Sequence, residues 1–138
     1  MKTNFLSKLI ILFLLATIAS CSSVRNNRIS FGSLDADKYA KLIQKDNVTL
    51  VDVRTAEEFA AGHIAGAEHN IDVRKSTFID DAEKTLPNKG IIAVYCKGGV
   101  RSKRAAKQLM EYGYKVFDLD KGYDEWVKAG MPTEKLNN

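Results

Sequence analysis

A chain of 138 residues with 45% hydrophobic and 28% charged side chains is apolar enough to bury a core and too short for more than one domain beyond any leader. The formal charge of +4 reflects 21 basic against 17 acidic residues; Lys2 and Lys8 fall in a leader, and subtracting these two leaves 19 against 17. With that balance, and with no basic stripe interleaved with aromatics, nothing implies a nucleic-acid partner.

Residues 1–20 read as a separate object. Lys2 and Lys8 precede the run Leu9 to Ile18, apolar except for Thr17, which is too short to span a bilayer as a helix and fits the h-region of a signal peptide. Ile18-Ala19-Ser20-Cys21 follows, and this small-residue approach to a cysteine resembles the lipobox of bacterial lipoproteins. The resemblance implies cleavage before Cys21 and diacylation of that residue, with palmitate-like chains as the membrane anchor. Several acyl chains, at about 0.8 kcal/mol for each buried methylene, hold a protein to a bilayer without a transmembrane helix. The implied location is the bacterial cell envelope. Ser22 supplies no acidic retention signal, which points to the outer membrane with the domain facing the periplasm. Residues 21–32 then form the lipidated end and a polar tether, and 33–134 a folded domain.

In the folded part, Ser33 is placed to N-cap a helix with Asp35 and Asp37 in its first turn and Ala36, Tyr39, Ala40 and Ile43 on one face. Val48 to Val53 is a short, β-branched and largely apolar strand. Ser76 is placed to cap a second helix bearing Ile79, Ala82 and Leu86, ended by Pro87-Asn88-Lys89-Gly90. Ile91 to Tyr95 is a second strand, Ser102 to Tyr112 a helix stopped by Gly113, and Lys115 to Leu119 a further strand. Tyr123, Trp126 and Val127 form the apolar face of a last helix closed by Gly130 and Pro132. Alternating strands and helices imply an α/β fold with parallel pairing, whose sites lie beyond the C-terminal ends of the strands.

Such an end is occupied by Cys96-Lys97-Gly98-Gly99-Val100-Arg101-Ser102. A thiol between a buried strand and a helix start meets free N–H groups and the positive end of the helix dipole. Two glycines free the loop backbone to turn several N–H groups toward the sulfur, and Lys97 and Arg101 add positive charge. Everything in this loop favours a thiolate, the reactive form of cysteine. If Cys21 is lipidated, Cys96 is the chain's one thiol and has no intramolecular disulfide partner. No Cys/His cluster has metal-ligand spacing, so neither a metal nor another cofactor is implied.

This loop resembles the active-site loop of single-domain rhodaneses, the thiosulfate sulfurtransferase family. Leu50-Val51-Asp52-Val53-Arg54, Glu57-Glu58-Phe59 and Gly62-His63-Ile64-Ala65-Gly66-Ala67 resemble the family's first signature block. Asp120-Lys121-Gly122-Tyr123 with Trp126 and Ala129-Gly130-Met131-Pro132 resemble its closing block. Ala65 stands where the family often has proline, and Asp120-Lys121-Gly122 replaces a common double-glycine turn.

The resemblance implies a three-layer rhodanese-like fold, with a central parallel sheet of about five strands flanked by helices on both faces, in a monomer. It also implies ping-pong sulfur transfer. Cys96 takes the outer sulfur of a small anionic donor such as thiosulfate, becomes a persulfide, and passes the sulfur to cyanide or a thiol. Lys97, Gly98, Gly99, Val100, Arg101 and Ser102 are the implied substrate-binding loop. Asp52 and Arg54 are expected close behind it, one of them hydrogen-bonded to the loop and Arg54 paired with Glu57 or Glu58. His63 reads as a structural histidine and Trp126 as core. Two other readings stay open: a sulfur-carrier or binding module with little thiosulfate turnover, and a cysteine phosphatase or arsenate reductase, whose loops carry one residue more between cysteine and arginine.

Overall fold

The computed structural model describes residues 31–136; the leader, Cys21 and the tether up to residue 30 lie outside the described residues, and Gly32, expected in the tether, already belongs to the first strand. The elements are β1 (Gly32–Leu34), α1 (Ala36–Ile43), β2 (Val48–Asp52), α2 (Ala56–Ala61), β3 (His63–Ile64), β4 (His69–Asn70), α3 (Phe78–Thr85), β5 (Ile91–Tyr95), α4 (Val100–Glu111), β6 (Val116–Leu119), α5 (Gly122–Lys128) and β7 (Thr133–Glu134).

Five strands form one parallel sheet in the order β1-β6-β5-β2-β4. The strand with the longest apolar run, β5, lies at its centre, as burial on both faces requires. Alternate side chains feed two cores. Val51, Val53, Ile92, Val94, Cys96 and Val116 pack with Phe78, Ala82, Ala105, Ala106 and Leu109 of α3 and α4. Leu50, Ala93, Tyr95 and Leu119 pack with Ala36, Tyr39 and Leu42 of α1, Phe59 of α2 and Trp126 of α5. Helices therefore cover both faces of the sheet. A small antiparallel ribbon of β3 and β7 lies apart from it. No helix among the described residues is long and apolar enough to cross a membrane.

Several local expectations are corrected. Ser33 lies in β1, where its hydroxyl donates to Asp118 at 2.9 Å, and Asp35 caps α1 instead, accepting from the Lys38 N–H at 2.9 Å. Strand pairing claims Ser33 before the helix can. Ser76 does not cap α3, which starts at Phe78; Thr77 at its cap makes no capping bond and instead donates to Asp81. Val127 is half exposed, while Trp126 is buried and donates its indole N–H to the Pro132 carbonyl.

Candidate active site

β5 delivers the chain to Cys96 at its C-terminal end, and α4 begins four residues later, at Val100. Between them Gly99 adopts φ +89° as the N-cap of α4, a conformation side-chain-bearing residues avoid. It has no room for a side chain either, because a Cβ there would sit 1.8 Å from the Asp120 carbonyl oxygen. This turn aims the Gly99 N–H at the Cys96 sulfur, 3.1 Å away. Among the described residues it is the one donor to Sγ, where the loop composition had suggested several. Gly98 does not share the positive φ, and a Cβ on it would meet open space. Only one of the glycine pair is conformationally required.

Cys96 as a residue is 1% exposed and belongs to the apolar cluster on the α4 face. Lys97, Gly98 and Val100 are exposed around it, Val100 to 81%. Ser102 is buried; its hydroxyl donates to the Gly99 carbonyl at 3.2 Å. That places Ser102 as a brace inside the turn rather than on the surface a substrate meets.

The loop carbonyls are held from the far end of the domain. The Tyr123 N–H donates to Cys96 O at 2.8 Å and the Asp124 N–H to Lys97 O at 3.0 Å. Gly122, at φ +66°, permits this approach: a Cβ there would lie 2.5 Å from Lys97 O and 2.6 Å from Cys96 O. Sequence reading gave residues 120–123 no role at the site, although a glycine opening a helix is a signal of close backbone approach.

Asp52 and Arg54 are both buried and bind each other. The Arg54 side chain donates to Asp52 through Nε at 3.0 Å and Nη2 at 2.6 Å, and Nη2 also donates to the Gly62 carbonyl at 2.7 Å. The expected pairing of Arg54 with Glu57 or Glu58 is thus overturned, because Asp52 at the end of β2 satisfies the guanidinium first. Neither residue hydrogen-bonds to residues 96–102 among the described residues. Arg54 acts one step removed: its guanidinium lies 4.3 Å from the ring centroid of Tyr123, whose N–H holds Cys96 O.

Glu58 takes the loop's own arginine. Arg101 Nη1 and Nη2 donate to its two oxygens, each at 2.7 Å. Glu58 is fixed in turn by a capping box at the start of α2, where Thr55 N–H donates to Oε2 and Glu58 N–H to the Thr55 hydroxyl. The Arg101 hydrogen bonds hold the Glu58 carboxyl down at about 2, and Glu58 raises Arg101 above the usual guanidinium value. Lys97 makes no ion pair among the described residues. It borders a depression of about 240 Å³ together with Arg54, Glu58, Gly62, Tyr123 and Asp124.

On the other flank, Lys103 donates to the carbonyl and carboxylate of Asp120, both at 2.8 Å, and lies 3.1 Å from Asp118. Asp118 is buried with one oxygen unpartnered, and burial raises its carboxyl against the pull of Ser102, Lys103 and Ser33. His63 is a packed structural group: Nδ1 lies 2.9 Å from Phe59 O and the ring stacks on Phe59 at 4.0 Å.

A family model for the rhodanese-like domain matches residues 35–129. The thiosulfate sulfurtransferase GlpE of Coxiella burnetii is 33% identical over 98 residues, covering 70% of this chain and 87% of that protein. Among solved structures, a rhodanese-like domain protein from Staphylococcus aureus is 30% identical with a TM-score of 0.64, covering 78% of this chain and all of its own. A rhodanese-related protein from Thermoplasma volcanium is 28% identical with a TM-score of 0.65, covering 75% and 98% of the two chains. The matched span runs from α1 through the Cys96 loop to the α5 turn that clamps it, and the chain belongs to the rhodanese-like domain family.

Proposed function

We propose that the protein is a sulfurtransferase that carries sulfane sulfur on Cys96. The observation that supports this most directly is the sulfur at the end of β5, facing the Gly99 N–H at 3.1 Å in a turn held by Gly122, Tyr123 and Asp124. The relative's name, thiosulfate sulfurtransferase, supplies the reaction type. The Cys96 thiolate attacks the outer sulfur of thiosulfate; a new S–S bond forms, the old one breaks, and its electron pair leaves on sulfite. Cys96 is left as a persulfide anion, which a nucleophile such as cyanide or a thiol discharges by the reverse type of attack. The loop N–H and the start of α4 favour negative charge on sulfur at both stages.

A phosphatase reading fits less well, because four residues rather than five separate Cys96 from Arg101, a tighter loop than a phosphoryl group with three equatorial oxygens calls for. We also propose that the leader delivers a monomer to the cell envelope, anchored through lipid on Cys21 and facing the periplasm from the outer membrane.

Intact mass tests the chemistry. Incubation with thiosulfate is expected to add one sulfur atom to the protein, and cyanide to remove it as thiocyanate, with no addition to Cys96→Ser. A Cys96→Ser protein that still turns over, or a wild-type protein that accepts sulfur from no donor, overturns the proposal.

A further inference from the structure

Three of the cations near the Cys96 loop are matched by carboxylates. Arg101, the loop's own cation, is bound face to face by Glu58; Arg54 is bound by Asp52; Lys103 is shared by Asp118 and Asp120. Lys97 makes no ion pair among the described residues, and Asp124 lines the same depression. Arg104, a turn further along α4, is exposed, and salt screens such a charge. Glu58 stays ionised across the neutral range because Arg101 holds its carboxyl at about 2, so this cancellation is permanent there.

Thiosulfate brings two negative charges to a thiolate, giving three to accommodate in the encounter. Among the described residues the mouth offers one cation, Lys97, uncommitted to a carboxylate. A donor whose sulfane sulfur hangs on an organic group brings one charge as a thiosulfonate and none as a protonated persulfide. Resting on the sulfur-transfer reading above, we propose that Glu58 is a specificity-determining residue, which by neutralising Arg101 selects singly charged or neutral organic sulfane donors over dianionic thiosulfate.

With a thiosulfonate, the Cys96 thiolate bonds to the outer sulfur while the bond to the sulfonyl sulfur breaks, its electron pair leaving on sulfinate. Two negative charges enter and two remain, one on the persulfide and one on sulfinate. With a protonated persulfide the proton travels with the transferred sulfur and a thiolate leaves.

Methanethiosulfonate and thiosulfate are near-isosteric probes that differ by one charge. Glu58→Gln is the informative variant, because glutamine keeps the capping box with Thr55 and can accept from Arg101 while removing the charge. The ratio of kcat/KM for thiosulfate to that for methanethiosulfonate is expected to rise about tenfold in Glu58→Gln, the scale of one unit charge at a partly screened site. Glu58→Asp, which keeps the charge, should hold the ratio within about threefold of wild type. Wild-type kcat/KM for thiosulfate should also depend weakly on ionic strength, and that of Glu58→Gln steeply.

A ratio unmoved by Glu58→Gln, or equal gains or losses with both donors, overturns the selectivity role and leaves sulfur transfer standing. Sulfur transfer from neither donor to wild-type Cys96 overturns the sulfur-transfer reading itself, and the selectivity with it.

Discussion

Arg101 and Glu58 join the first turns of two helices that lie far apart in the chain, and the ion pair between them is also a pH sensor for the fold. Glu58 titrates at about 2 in the folded protein, against 4.5 ordinarily, chiefly through its Arg101 hydrogen bonds. A depressed carboxylate binds fewer protons when folded, so its stabilisation is complete above the unfolded value and fades as pH falls from about 4.5 toward 2. After solvent screening we expect Glu58→Gln to lower unfolding free energy at neutral pH by about 1 kcal/mol, with the difference closing below about pH 2. Urea unfolding of the two proteins along a pH series measures it, and a constant difference would refute the assignment. Asp118 works with the opposite sign: burial raises its carboxyl from 3.8, so its contribution weakens the fold as pH rises past that value.

At the scale of elements, the nucleophile turn separates two adjacent glycines. Gly99→Ala forces a Cβ onto the Asp120 carbonyl at a positive φ and is expected to cost more than about 2 kcal/mol, with loss of the persulfide-forming reaction. Gly98→Ala meets open space, so its denaturation midpoint should stay close to wild type. Equal destabilisation by the two would show that the turn adopts some other geometry. The neighbouring elements were unequally legible. The strand Ile91–Tyr95 is set by an unbroken apolar run and the end of α4 by Gly113, so both could be read directly, whereas α4 starts at Val100, two residues before the expected Ser102, because Gly99 at positive φ already serves as its N-cap. The six-residue α2 could not, since Phe59 is its one buried residue and no periodicity develops over so few positions. Its Thr55-x-x-Glu58 capping signal was present nonetheless, and it marks the helix that carries Arg101's partner. The two-residue strands β3, β4 and β7 likewise exist through tertiary pairing alone.

Over the whole molecule, the alternation of strands and helices foretold parallel pairing and the family resemblance a sheet flanked on both faces, and β5 at its centre sets Cys96 where strand ends converge. What eluded the sequence were the pairings. Charge alone cannot say that Arg101 meets Glu58 from another helix, or that Arg54 turns back to Asp52. Those choices depend on distances that only the assembled sheet defines. The proposed anchor is separable from this assembly: Cys21→Ala should shift the protein from the membrane to the soluble fraction while the domain keeps its sulfur-transfer activity. Fractionation with parallel assays tests it, and a wild-type protein found soluble with Cys21 unmodified rules the anchor out.

The clamp of Tyr123 and Asp124 on the carbonyls of Cys96 and Lys97 also sets a timetable. A chain emerging from the ribosome presents β5 and its cysteine well before the turn at Gly122 exists, and domains fold as units rather than residue by residue. Until that last stretch arrives, the thiol has neither its backbone clamp nor the Asp120 carbonyl that Gly99 packs against. Cys96 on an unfinished chain is therefore a cysteine without a site, and it gains one only when the Gly122 turn has folded against it.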